Sequence, residues 1–382
     1  MRDFIERVRD LVCGTDGSDP AIRQARGDFR VYLLAHSMGG LIVRCYLQNI
    51  CRDQAVPVAK VFTYATPHGG IDVRLAGNLP GFLSLNNVNN FNTARMREYL
   101  QLDADTPVHS LAGRFPIARF FSLVGTNYRD YEAGGGMARR LVGPMSDGLV
   151  QIRNASVKNS PRAFVHRAHS GDYGIVNSEE GYQNLVRFLF GSVHVDALLN
   201  ISDISLPPRV AKARAEGHKV RASYHIETIG RVRGARWDLH RRLVDERSAV
   251  FKTFDDLIQP GREIHLFSGY LADWARVRRR NRRLGLSLDL RVLVPEYEID
   301  NSWFADEHYE GGYLFRDKLN LEVDTENAVL AYGWDSRTPN RASRRSEGTA
   351  IDDEGREYRL PVVQKTAPGI EAELIIRTQP WE

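Results

Sequence analysis

The chain has 382 residues, 42% hydrophobic and 26% charged, with 52 Lys plus Arg against 48 Asp plus Glu. That length holds two domains with cores of their own, and the composition is that of a soluble globular protein. The charge surplus is too slight to point to nucleic acid, no apolar run reaches the roughly eighteen residues of a transmembrane segment, and the N-terminus lacks the apolar core of a secretory signal.

Residues 2–12 place Phe4, Ile5, Val8, Leu11 and Val12 at helical spacing, and Gly14 with Gly17-Ser-Asp-Pro20 ends that helix. Phe29-Arg-Val-Tyr-Leu-Leu-Ala-His-Ser37 is an apolar strand that stops on a serine and opens into the helical run Leu41–Ile50. A strand–Ser–helix turn of this kind is a nucleophile elbow, with Ser37 at its tip. Ala35 and Gly39, two positions either side, are expected where strand and helix pass closest. The plain alternative is an ordinary strand-to-helix turn with a capping serine.

Val58–Ala65 reads as a strand buried on both faces of a parallel sheet. Residues 71–116, rich in Asn, Gly and Pro, suit a cap-like insertion. Arg119–Gly125 and Ala163–Ala168 are further strands, and a helix follows with Tyr182, Leu185, Val186, Leu189 and Phe190 on one face. Strands alternating with helices make residues 1–191 an α/β domain with a parallel sheet. Residues 192–215, with Pro207-Pro208, are expected as a linker. From 216 to 382 the apolar residues alternate, as in Leu286 to Val294, Tyr313 to Val323 and Ile370 to Ile376. Some eight short strands argue an all-β sandwich of unknown role. Arg337–Gly355 is expected as a mobile loop.

A serine hydroxyl needs an imidazole to take its proton and a carboxylate to fix the imidazole's tautomer. On such a scaffold the partners follow in the order Ser, acid, His, at the ends of later strands. Asp147 in Ser146-Asp-Gly-Leu-Val150 and His169 in Ala168-His-Ser-Gly171 supply that order. Asp130 is the alternative acid and His166 the alternative base, while Asp172 lies too close to His169 in sequence to pair with it.

Leu-Leu-Ala35-His-Ser37-Met-Gly-Gly40, Ala65-Thr-Pro-His-Gly-Gly70, Ser146-Asp-Gly-Leu-Val150 and His169-Ser-Gly171 together resemble the lipase and carboxylesterase branch of the α/β-hydrolase superfamily, over residues 1 to about 190. The resemblance implies Ser37 as nucleophile, Asp147 as acid, His169 as base and the Met38 backbone N–H as oxyanion donor. It also implies that Thr66-Pro-His-Gly-Gly70 shapes the site floor, with His68 structural, and that no cofactor or metal is needed. Members of that family carry strands before the elbow, one followed by a loop that gives the second oxyanion N–H. Here a helix and a loop precede the elbow strand, so the sheet is expected to be N-terminally incomplete and one edge of that strand open. A late start site, a truncated product, or a partner chain that completes the sheet would each account for this.

Cys13, Cys45 and Cys51 show no metal-ligand spacing and fit reduced thiols in a cytoplasmic protein, with Cys45 as core packing and a Cys13–Cys51 disulfide as the minor alternative. A truncated start would also have removed a signal peptide. The basic run Arg276–Arg283 is a solvated loop on the plain reading and a patch for an anionic membrane surface on the sharper one. Trp237, Trp274, Trp303 and Trp334 fit either a core or a binding face. The expected activity is hydrolysis of a hydrophobic or lipid ester through an acyl-enzyme on Ser37. The competing expectation is a silent fragment whose β-domain binds lipid or a protein.

Overall fold

The structure is a computed structural model that describes residues 1–51, 56–71, 91–131, 142–259, 261–275, 283–300, 307–324, 329–352 and 355–382. Residues 72–90 of the expected cap-like insertion, the Gly134-Gly-Gly136 loop, Trp303 and residues 276–282 of the basic run lie outside the described residues. The chain divides into two compact units, residues 1–162 with 167–178, and residues 163–166 with 179–382.

In the first unit, α1 (Arg2–Cys13) and α2 (Pro20–Asp28) precede β1 (Val31–His36). Then come α3 (Met38–Cys45), with a π turn to Ile50, and β2 (Val58–Tyr64). After α4 (Thr93–Tyr99) the chain forms β3 (Phe120–Gly125). These strands make a sheet in the order β1-β2-β3, parallel between β1 and β2 and between β2 and β3, and β4 (Arg162–Val165) comes later in the chain. β2 and β3 are buried along nearly their whole length, as the continuous apolar runs require. A core cluster of Ile5, Val43, Tyr46, Leu47, Val61, Phe115 and Phe120 holds helices to sheet.

Two expectations fail at the N-terminus. The segment from Pro20 is not only a terminator but opens α2, capped by the Asp19 carboxylate on the Ala21 N–H. None of α2 is buried, so it carries no apolar stripe to read. Of the apolar residues of α1, Ile5 alone is fully buried, while Phe4, Leu11 and Val12 are exposed. β1 ends the sheet among the described residues, and its Tyr32 and Leu34 side chains are exposed. All three cysteines are free; Cys51 is buried, whereas Cys45 is half-buried with Sγ near the Tyr99 carbonyl.

In the second unit, α5 (Glu179–Phe190) is followed by β5 (Val193–Ser205) and α6 (Pro208–Ala215), so residues 192–215 are structured and not a linker. The polar residues inside β5 disguise it, because Asn200 and Asp203 interrupt the apolar run. Two antiparallel sheets account for the rest. One holds β5, β10 (Ile264–Leu271), β15 (Thr349–Ala350), β16 (Arg356–Gln364) and β17 (Gly369–Pro380) in the order β10-β5-β17-β16-β15. The other is built on the long strands β11 (Leu284–Ile299) and β12 (Glu307–Asp324), flanked by β7 (Tyr224–Val232), β8 (His240–Arg242), β13 (Val329–Trp334) and β14 (Arg344–Glu347). Short β6 (Val220–Ala222) and β9 (Val250–Lys252) pair onto β11 and β7. The His240 ring packs on Phe267 of the five-stranded sheet at 5.2 Å.

Three further expectations need correction here. Tyr313 is exposed because the register of β11 against β12 slips between Val292 and Leu293, leaving Leu314 as the extra, buried residue and turning Tyr313 outward. Residues 337–355 are not one loop, since they carry β14 and β15. On α5 the buried positions are Gly181, Asn184, Arg187, Phe188 and Leu189, while Tyr182 and Phe190 face solvent. Asn184 tolerates burial because its Nδ2 donates to the carbonyls of Glu180 and Leu239, both at 2.9 Å. Trp334 is buried; Trp237 and Trp274 are exposed.

Candidate active site

Every residue expected at the site belongs to the first unit and follows the C-terminal end of a strand, where open parallel sheets present their loops. Ser37 ends β1 with φ 52° and ψ −127°, a left-handed-side conformation that costs an L-residue about 1–3 kcal/mol. Its N–H donates to the Tyr64 carbonyl and its carbonyl accepts from Gly40 N–H, so the turn is pinned from β2 and from its own helix. The tightest approach lies at Gly40 rather than Gly39. A Cβ on Gly39 would meet Ala35 at an ordinary 3.6 Å, but one on Gly40 would fall 2.2 Å from Thr66 Oγ1 and 2.9 Å from its Cβ.

His169 and Asp147 are both buried. His169 Nε2 lies 2.9 Å from Ser37 Oγ, and His169 Nδ1 lies 2.9 Å from Asp147 Oδ2. The carboxylate is held by its own turn. Asp147 Oδ1 accepts from the N–H groups of Leu149 (3.0 Å) and Val150 (2.7 Å). Ser146 Oγ steadies the same turn, donating to Gly143 O at 2.6 Å and accepting from Gly148 N–H at 3.1 Å. The backbone N–H of His169 donates to Asp147 O at 2.9 Å, so Asp147 and His169 are tied through main chain as well as side chain. Gly148 has φ 98°, and a Cβ there would strike Tyr131, whose ring stands edge-on to His169 at 5.6 Å.

The rivals lie elsewhere. Asp130 is bonded to Asn127 Nδ2 at 2.6 Å. His166 comes just after β4 rather than inside it, with Nδ1 3.5 Å from Glu246. His68 is wholly buried and its pKa is pushed well below the ordinary histidine value by desolvation, so it stays neutral, with Nε2 3.1 Å from Thr63 Oγ1. Met38 is the first residue of α3, where a backbone N–H has no acceptor within its own helix.

Two neighbours of the site carried no role in the sequence. His36, next to the serine, places Nε2 2.8 Å from the His169 carbonyl and its ring centroid 4.9 Å from the His169 ring. Arg44, on α3, is fully buried and donates to Gln48 Oε1 and to the carbonyls of His68, Val108 and Ser110 at 2.7–2.9 Å. Burial pushes its pKa down to about 9, and its four hydrogen-bond acceptors are neutral oxygens. An arginine in a helical run next to an apolar strand was the available signal, since a cation there must find acceptors.

No family model and no curated protein matches the chain. Among solved structures, the lipase BlEst2 of Bacillus licheniformis in its propeptide form matches with 12% identity and a TM-score of 0.32, over 85% of this chain and 83% of that one. Phospholipase PlaB from Legionella pneumophila matches with 14% identity and a TM-score of 0.31, over 81% of this chain and 76% of that one. A likeness at scores this low carries no weight for the activity of the chain.

Proposed function

We propose that the chain is a serine ester hydrolase that cleaves a hydrophobic or lipid carboxylic ester through an acyl-enzyme on Ser37. One observation carries the reading: an imidazole bonded at one nitrogen to a serine hydroxyl and at the other to a buried carboxylate, at 2.9 Å each.

Asp147 accepts the Nδ1 proton of His169 and so leaves the Nε2 lone pair facing Ser37. His169 takes the hydroxyl proton as Ser37 Oγ bonds to the ester carbonyl carbon, and the carbonyl electron pair moves onto oxygen. The Met38 N–H, at the positive end of α3, donates to that oxyanion. Collapse of the tetrahedral species expels the alkoxide, which leaves as alcohol with the proton from His169. A water molecule then gives its proton to His169, attacks the acyl carbon and releases the acid, restoring Ser37. The apolar character of the substrate is inferred from Met38, Met145, Tyr173 and Val176. These exposed side chains stand on the three segments that supply Ser37, Asp147 and His169.

A fluorophosphonate probe tests the reading, because it traps an activated serine independently of the leaving group. The wild-type chain is expected to be labelled at Ser37 and Ser37→Ala to remain unlabelled. A folded wild type that resists the probe would overturn the proposal.

A further inference from the structure

The residue beside the nucleophile makes two contacts with the base that the hydrolytic scheme does not use. His36 Nε2 lies 2.8 Å from the His169 carbonyl oxygen. A carbonyl can only accept, so His36 carries its proton on Nε2 and donates it there. Its ring also lies against the His169 imidazole, centroids 4.9 Å apart and planes tilted by 46°. The backbone of His169 is thus held at both polar groups, its N–H by the Asp147 carbonyl and its C=O by His36. An imidazole that must meet a serine on one side and a carboxylate on the other depends on such a frame. A displacement of about 1 Å can cost around a hundredfold in rate.

We infer that His36 is a positioning residue for His169: a neutral imidazole that clamps the base's carbonyl and flanks its ring. This rests on the hydrolase reading above. Because Ser37 adjoins His36 in the chain and carries φ 52°, the clamp also ties the nucleophile's strand to the loop that bears the base.

The groups around His36 give it a second property. Among the described residues, His169 and Asp147 are the titratable groups that face it, and Tyr131, edge-on to His169, is kept neutral by burial, its pKa raised to about 12. Burial, and then the nearby His169, push the His36 pKa below its ordinary value, while the hydrogen bond to the His169 carbonyl and then the Asp147 charge oppose this. At neutral pH His36 is therefore uncharged and leaves room for the imidazolium that forms on His169 during turnover.

Two substitutions separate the donor from the ring. Gln places its amide nitrogen near the position of His Nε2 and keeps the clamp; Phe keeps the ring and removes the donor. His36→Phe is expected to lower kcat about 10- to 100-fold with KM within about twofold, and His36→Gln to recover to within about threefold of wild type. A kcat for His36→Phe within about twofold of wild type, or equal damage by Phe and Gln, would overturn the inference. The downfield proton resonance of the His169–Asp147 hydrogen bond reads the same clamp without turnover. It should persist in wild type and His36→Gln and be lost or shifted in folded His36→Phe. If it is unchanged in His36→Phe the clamp is refuted, whereas a sharp wild-type resonance in a chain that ignores the phosphonate probe would sink the hydrolase reading alone.

Discussion

Asp147→Asn is expected to lower ester turnover about 10⁴-fold while leaving the fold intact. The reason lies in how the carboxylate is occupied. Oδ1 already accepts two backbone N–H groups, from Leu149 and Val150, which an amide nitrogen cannot do. The Asn oxygen must therefore take that position, and its NH₂ must turn to His169 Nδ1 in place of Oδ2. Two donors cannot share a hydrogen bond, so Nδ1 loses its proton and Nε2 gains it. The base then offers a proton to Ser37 instead of a lone pair. Steady-state hydrolysis of a chromogenic ester measures the loss, and thermal unfolding checks that the variant is folded. Because hydroxide can take the Ser37 proton in place of the imidazole, some activity should return in alkaline buffer. A loss smaller than about tenfold would show that Asp147 is not the orienting acid.

Arg44→Met is expected to destabilise the first unit by about 3–5 kcal/mol, and Arg44→Lys by a comparable amount. The guanidinium reaches four oxygens at once because it is a planar fork with five donors. Methionine fills part of the volume but strips the His68 and Val108 carbonyls of this donor, each at about 1–3 kcal/mol, and leaves Gln48 Oε1 exposed to an apolar neighbour. The Ser110 carbonyl suffers less, since Gln48 Nε2 also donates to it at 3.1 Å. Lysine keeps the charge but gathers it on one small ammonium, which cannot span the turn at His68 and the segment at Val108–Ser110 together. Urea unfolding followed on the two variants gives the cost directly. A cost below about 1 kcal/mol for Met would mean that water replaces the guanidinium and that Arg44 is no keystone.

The residues proposed as a triad were legible because each stands in a short, local signal at a strand end. Ser37 stands in a turn whose neighbours are small, and Asp147 and His169 each sit in a compact polar turn after an apolar run. The structure brings those three together and leaves Asp130 and His166 with other partners. Parallel strands buried on both faces were equally plain. What escaped was decided by contacts far along the chain. β5 reads as a connector until its polar positions are seen in a sheet, where Asp196 receives the Ser268 hydroxyl at 2.5 Å. On α5 the buried face follows Asn184 and its bond to the Leu239 carbonyl, which no periodicity of apolar residues reports. Gly40 rather than Gly39 proved the crowded position because Thr66, twenty-six residues on, projects onto it.

The backbone at Ser37 gives the elbow a history as well as a geometry. Its φ of 52° suits glycine and burdens any L-residue, so the serine is kept there against the interest of the fold. Stability and reactivity therefore select in opposite directions at this one codon. In a library screened for folding alone, position 37 is expected to drift towards glycine, and a screen that retains serine there without any demand for catalysis would contradict it. A lineage that stopped using the site would lose its serine early, before the buried turn at Asp147 showed any sign of decay.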